Sequence, residues 1–229
     1  MTEEEWLACV DPVPMLMHWE AKASPRKSRL LACAFCRQRW DFLRDEASRS
    51  AVEVAERYAD KQAPKRALVA ARKATRAVVL ALDDPYWEQR AAHAALNAVE
   101  EKEWIAHGAA INVSGAVICS RPTPAPELPK QYEETKATQS ALVRDVFGNP
   151  FRPVRRDPSL VTPVAFPLAQ AAYAERALPS GHLDLSRLAV FADALEEAGC
   201  ADAAVLSHLR SPGPHVRGCW AVDSVLGKE

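Results

Sequence analysis

Residues 24–44 read SPRKSRLLACAFCRQRWDFLR. Ser24 is a good N-cap and Pro25 suits the first helical position, where the missing N–H costs nothing. The segment predicts a helix running to about Arg44. Leu31, Phe35 and Phe42 fall on one side of it. Cys33, Cys36, Trp40 and Leu43 fall on the adjoining side. Apolar positions therefore cover more than half the circumference, as expected of a central helix packed by several neighbours.

The flanking sequence has the same character. Thr2 precedes Glu3, Glu4 and Glu5, so a hydroxyl cap, a capping-box acid and a favourable charge at the positive helix end coincide. That helix is expected to end near Asp11-Pro12, with a short one following at 14–22. C-terminal to the central helix, apolar spacing predicts helices at 46–61, 64–82 and 85–106, the last opened by a turn at Asp83-Asp84-Pro85. From Gly108 to Lys130 the helical pattern dissolves, and PTPAPELP favours extended backbone. AINVSGAVI, within this stretch, suggests at most a short hairpin. Helices are expected again at 131–147, stopped by Gly148-Asn149-Pro150, and at 166–177. Another starts at Asp184 or Leu185, with Gly199 just past its end, and a further one follows Asp202. SPGP at 211–214 breaks that helix. A last helix is expected from Pro214 to Leu226, with Gly218 inside it.

With 8 glycines and 17 prolines, the prolines lying between alanine-rich runs, the chain predicts an all-α, multi-helix bundle of about ten helices with a Pro-rich irregular connection in the middle. The expected organisation is an N-terminal helical part at 1–107, a Pro-rich linker at 108–130 and a C-terminal helical part at 131–229. The C-terminal part is expected to pack with 1–61 as one core. MTEEEWLACV has no apolar signal-peptide core, and no run nears the roughly 18 apolar residues of a membrane span. The expectation is a cytoplasmic protein without membrane association, with free thiols rather than disulfides among its six cysteines.

Net charge is −1, but residues 22–76 hold fifteen basic and six acidic side chains. That block can meet an acidic partner, nucleic acid included, or be neutralised by the acidic N-terminus and middle. Arg152-Pro153-Val154-Arg155-Arg156 adds a second basic loop. No helix-turn-helix, zinc-finger or RNA-module signature accompanies either, which makes nucleic acid an unlikely partner on this reading.

Two Cys/His groupings carry chemistry. Cys33-x-x-Cys36 places two thiols on one helix face, as soft metal ligands or as two small buried residues. A redox role would want the pair at a helix N-terminus, not mid-helix. His215-x-x-x-Cys219 becomes an i, i+4 pair if the last helix starts at Pro214. His208 lies at the end of the preceding helix. Cys33, Cys36, His208, His215 and Cys219 are therefore the candidate metal residues, with zinc as the metal. The alternative has them satisfied in the core and no cofactor at all. As nucleophile and base, Cys219 and His215 lack an evident orienting acid, so no catalytic residue is assigned. Phosphate-loop, dinucleotide, zinc-protease and serine-hydrolase signatures are absent from the sequence.

MTEEEWLACVDPVPML, SRLLACAFCRQRW, SRSAVEVAERYAD, DVFGNPFRPV, LAQAAYAER, LPSGHLDLSRLAVFADALEEAGC and GPHVRGCWAVDSVLGKE resemble a lineage-expanded family of planctomycete proteins. The resemblance covers residues 1–61 and 143–229, with the middle resembling that family's variable insert. LAVFADALEEAGC also resembles the helical segment of short repeat-companion domains. The resemblance implies helical structure and an association role, and it implies no activity. The leading functional expectation is a non-enzymatic helical interaction or scaffold module with a protein partner. The alternatives are a small zinc-stabilised helical protein and a nucleic-acid-associated protein using the 22–76 block.

Overall fold

The structure is a computed structural model that describes residues 1–19, 22–82, 86–100, 105–119, 127–154 and 156–228. It is all-α: the described residues form twelve α-helices and no strand. None of these helices is long and apolar enough to cross a membrane. The chain divides into two compact units, Met1–Val143 and Arg144–Glu229.

The first unit holds α1 (Glu3–Ala8), α2 (Pro12–Trp19), α3 (Pro25–Gln38), α4 (Glu46–Ala59), α5 (Lys65–Ala81), α6 (Tyr86–Val99), α7 (Ile105–Cys119) and most of α8 (Leu128–Phe147). Helix α1 starts with the complete capping box, and Ser24 caps α3 by accepting from the Lys27 amide. As its sequence predicts, α3 is central: it packs against α4, α6 and α7. It ends at Gln38, earlier than expected, and a 3-10 turn follows at Trp40–Phe42.

Several basic side chains of the 22–76 block are engaged inside this unit. Arg37 makes a buried two-pronged pair with Glu56, Nε to Oε1 at 2.7 Å and Nη2 to Oε2 at 2.9 Å. Arg26 pairs with Asp60, Arg44 with Glu88, and Arg72 and Arg76 with Glu100. Arg29 donates to the carbonyls of Ala98 and Glu100 at the end of α6. Part of the charge excess is thus answered within this unit, with Arg44, Arg72 and Arg76 reaching acids of the middle segment.

Helix α7 corrects the expected linker at 108–130. Residues 108–119 are helical, and no hairpin forms there. Gly108, Gly115, Ile111 and Val113 are poor helix formers, and apolar residues surround the helix on all sides, so no amphipathic stripe announces it. Tertiary packing overrides propensity. Ala106, Ala109, Ala110, Val113 and Ala116 are buried, as are Ala91, Ala94, Ala95 and Ala98 of α6, the helix α7 packs on. A Cβ at Gly108 would lie 2.7 Å from the Asn97 side chain, so the glycine permits the close approach. The expected turn at 83–85 and most of PTPAPELP lie outside the described residues.

The second unit begins in the last turn of α8 and holds α9 (Ala165–Ala174), α10 (Leu185–Glu197), α11 (Ala203–Leu209) and α12 (Trp220–Leu226). The unit boundary therefore falls inside α8, not in the Pro-rich stretch, and 131–143 belongs with the N-terminal helices. Leu188, Phe191, Ala192 and Leu195 of α10 form the centre of an apolar cluster with α9, α11 and α12. Asp184 and Asp202 cap α10 and α11. Gly199 ends α10 in the left-handed conformation, φ +94°.

Helix α12 corrects a second expectation. It starts at Trp220, not Pro214, so His215 and Cys219 are not two positions on one helix face. Gly218 is not inside a helix but in a turn, with φ +99°, and Gly213 has φ +85°. Both are left-handed values that interrupt an α-helix and that glycine adopts at little cost. The segment 214–219 is a loop, pinned by a bridge between His182 and Val216.

Candidate metal centre

Asp145 sits in the last turn of α8, and its carboxylate is buried. Gly148, with φ +72°, closes that helix by returning its N–H to the Arg144 carbonyl. The Asp145 Oδ2 accepts the Val216 N–H at 2.9 Å, tying the 214–219 loop to α8. Its Oδ1 faces two imidazoles, 2.9 Å from His215 Nδ1 and 3.1 Å from His208 Nε2. The same His208 Nε2 lies 3.2 Å from Cys219 Sγ. These four donor atoms all lie within 4.8 Å of one another.

The four residues come from three helix ends and one loop. Asp145 ends α8, His208 is in the last turn of α11, His215 is in the loop, and Cys219 immediately precedes α12. Asp145, His215 and Cys219 are buried, while the His208 side chain keeps 19% exposure. His208 also lies against Trp220, ring centroids 4.8 Å apart, and edge-on to His215 at 4.7 Å.

The hydrogen-bond directions restrict what the cluster does. His215 Nε2 faces the Ser211 carbonyl at 3.1 Å, so Nε2 carries the proton and Nδ1 turns inward. An inward lone pair and a carboxylate oxygen at 2.9 Å repel unless a cation, proton or metal, lies between them. Burial works to lower the His215 pKa, but the Asp145 hydrogen bond and charge raise it above its ordinary value. Burial pushes Asp145 up, and the hydrogen bonds from His208 and His215 overcome this and hold it below the usual carboxylate range. Burial and the Asp145 charge push the Cys219 thiol well up, while the amides of Ala221 and Val222 at the start of α12 favour the thiolate.

A Cys–His–Asp nucleophilic arrangement is a poor description of this geometry. In that chemistry one imidazole nitrogen takes the nucleophile's proton and the other is held by the acid. Here a single atom, His208 Nε2, faces both Sγ and Oδ1. Convergence of several donor atoms on one point is instead how metal ligands are arranged. A tetrahedral zinc with bonds of about 2.0–2.3 Å has ligand–ligand edges of roughly 3.3–3.8 Å. The three short contacts, 2.9 to 3.2 Å, are slightly tighter.

Of the five residues the sequence nominates, His208, His215 and Cys219 come together in the second unit. Cys33 and Cys36 belong to the first, buried on α3. Cys33 Sγ lies 3.6 Å from the Val52 carbonyl as a weak donor. Burial raises the Cys33 thiol well above its ordinary value and the Cys36 thiol to about 12. Among the described residues, no group of three or more metal-ligating side chains gathers around either, in contrast to Cys219. Asp145 is the member that sequence reasoning missed. It stands 63 residues from His208, and nothing around it resembles ligand spacing. Its one sequence signal is a lone acid in an apolar helix end before Gly148, within the DVFGNP stretch. No family model, curated protein or solved structure matches the chain.

Proposed function

We propose that residues 144–229 form a zinc-stabilised helical module, with Asp145 Oδ1, His208 Nε2, His215 Nδ1 and Cys219 Sγ as the ligands. The observation that carries this reading is the convergence of these four atoms within 4.8 Å in a largely buried setting. The donor set is two imidazoles, one thiolate and one carboxylate, which suits zinc and disfavours magnesium or calcium. Four protein donors leave no coordination position for a substrate, so the metal's role is structural rather than catalytic. A ligand set gathered from α8, α11, the 214–219 loop and the start of α12 makes the metal a clasp on the C-terminal elements.

The test is elemental analysis of protein purified without an affinity tag and dialysed against metal-free buffer. One zinc per chain is expected, falling to a small fraction in Cys219→Ser and Asp145→Asn. Substoichiometric zinc in the wild type overturns the reading.

A second reading, a helical interaction module, rests on the outward face of α5. Arg66, Val69, Lys73 and Leu80 are all exposed there at helical spacing, Leu80 at 78%. Sedimentation tests its simplest form: concentration-dependent self-association that disappears in Leu80→Glu supports it, and a monomer at all concentrations counts against a contact between copies.

A further inference from the structure

Tyr173 stands behind the Cys219 turn and touches none of the four donor atoms by its hydroxyl. On the last turn of α9, its ring is buried and its OH donates to Asp223 Oδ1 at 2.8 Å. The Tyr173 hydroxyl oxygen accepts the Gly218 N–H at 3.1 Å and lies 3.3 Å from the Cys219 carbonyl. The hydroxyl therefore holds the Gly218 N–H while its single proton goes to Asp223. Asp223, also buried, lies one helical turn past Cys219 and returns its own N–H to the Cys219 carbonyl at 2.9 Å. The consequence is a left-handed Gly218, φ +99°, held in place so that the next side chain, Cys219, points at His208 Nε2.

We infer that Tyr173 and Asp223 are positioning residues of the metal centre: they fix the turn that aims Cys219 Sγ, and so set the affinity and geometry of the site. This rests on the zinc reading above. Two observations separate it from ordinary core packing. The tyrosine hydroxyl meets the 218–219 turn and the residue that holds the turn to α12. On the opposite side of the site, the Ser211 carbonyl holds His215 in the same indirect way. Groups that orient metal ligands without touching the metal commonly alter affinity by about 10–100-fold when removed.

The test compares the full-length wild type with Tyr173→Phe, Asp223→Asn and Leu195→Ala. Leu195, fully buried on α10, is a core control that makes none of these hydrogen bonds. Zinc affinity is measured by competition with a chromophoric chelator, and the cobalt-loaded proteins are compared by absorption spectrum. Tyr173→Phe, which keeps the ring, is expected to weaken zinc about 10–100-fold and to shift the sulfur-to-cobalt charge-transfer band. Asp223→Asn, which keeps the tyrosine, is expected to do the same to a smaller degree. Leu195→Ala is expected to lower the unfolding temperature and leave zinc affinity and spectrum unchanged. Tyr173→Phe and Asp223→Asn affinities and spectra matching the wild type overturn the inference while leaving the zinc reading intact. A wild type that binds no zinc overturns both.

Discussion

Arg37 shows why charge counting misleads at the scale of single residues. Its guanidinium and the Glu56 carboxylate are both buried and doubly hydrogen-bonded, and Trp40 lies over the guanidinium at 4.7 Å. Removing one partner strands the other in the core. Glu56→Leu is expected to destabilise by about 3–5 kcal/mol, and Arg37→Met with Glu56→Leu to recover most of the loss, read by denaturant unfolding. A second ion pair yields a pH prediction. Burial pushes the Asp11 carboxyl up, but the hydrogen bond from Lys136 at 2.8 Å, the Val13 N–H and the Lys136 charge together outweigh it, so the pKa falls below its ordinary value. A depressed acid stabilises the fold above its unfolded pKa, about 3.9, and that contribution disappears as pH falls through the folded value. Carbon NMR of the Asp11 carboxyl is expected to titrate below about 3.9 and to move upward in Lys136→Met. An unmoved titration would disprove the pairing.

Helix ends decide where the site residues stand. Gly148 ends α8 at φ +72°, and a Cβ there would lie 3.2 Å from Trp220 Cγ. Gly148→Ala is expected to cost about 1–2 kcal/mol, since it combines left-handed strain with crowding of the tryptophan that backs His208. Thermal unfolding followed by Trp fluorescence checks it. Asp202 accepts from the amides of Ala204 and Val205, so Asp202→Ala is expected to cost about 1 kcal/mol through the α11 cap alone. At this scale much was legible. Thr2, Ser24, Asp184, Asp202 and Gly199 all act as their residue types predict, because capping is a local matter of one side chain and the nearest amides. Helix α7 was not legible, since its stability comes from small-residue contact with α6 rather than from its own propensities. Nor was the start of α12: proline at 214 resembles a helix start, and only the backbone angles of Gly213 and Gly218 show a loop.

For the whole molecule, the division after Val143 would give the proposed metal a local sphere of action. All four candidate ligands belong to the second unit. Chelation is therefore expected to raise amide exchange in 205–226 and to lower the unfolding midpoint of residues 144–229 by about 10 °C or more, leaving exchange in 25–99 unchanged. Mass-spectrometric hydrogen exchange with and without a chelator measures this. Uniform loosening of both units, or no change in either, would count against a clasp confined to the second.

The amino-acid sequence by itself determined the helical class, the central place of α3, most caps and three of the four clustered donors. These properties depend on periodicity, on one side chain's reach to its neighbouring amides, and on which residue types bind cations. Tertiary structure decided the rest. It assigned Cys33 and Cys36 to the first unit and His208, His215 and Cys219 to the second, turned an expected helix face into a loop, and brought Asp145 to His208 across 63 residues and to His215 across 70. Such a convergence is set by how helices α8, α11 and α12 pack and end. Contacts between residues distant in the chain leave no local pattern for a sequence to display.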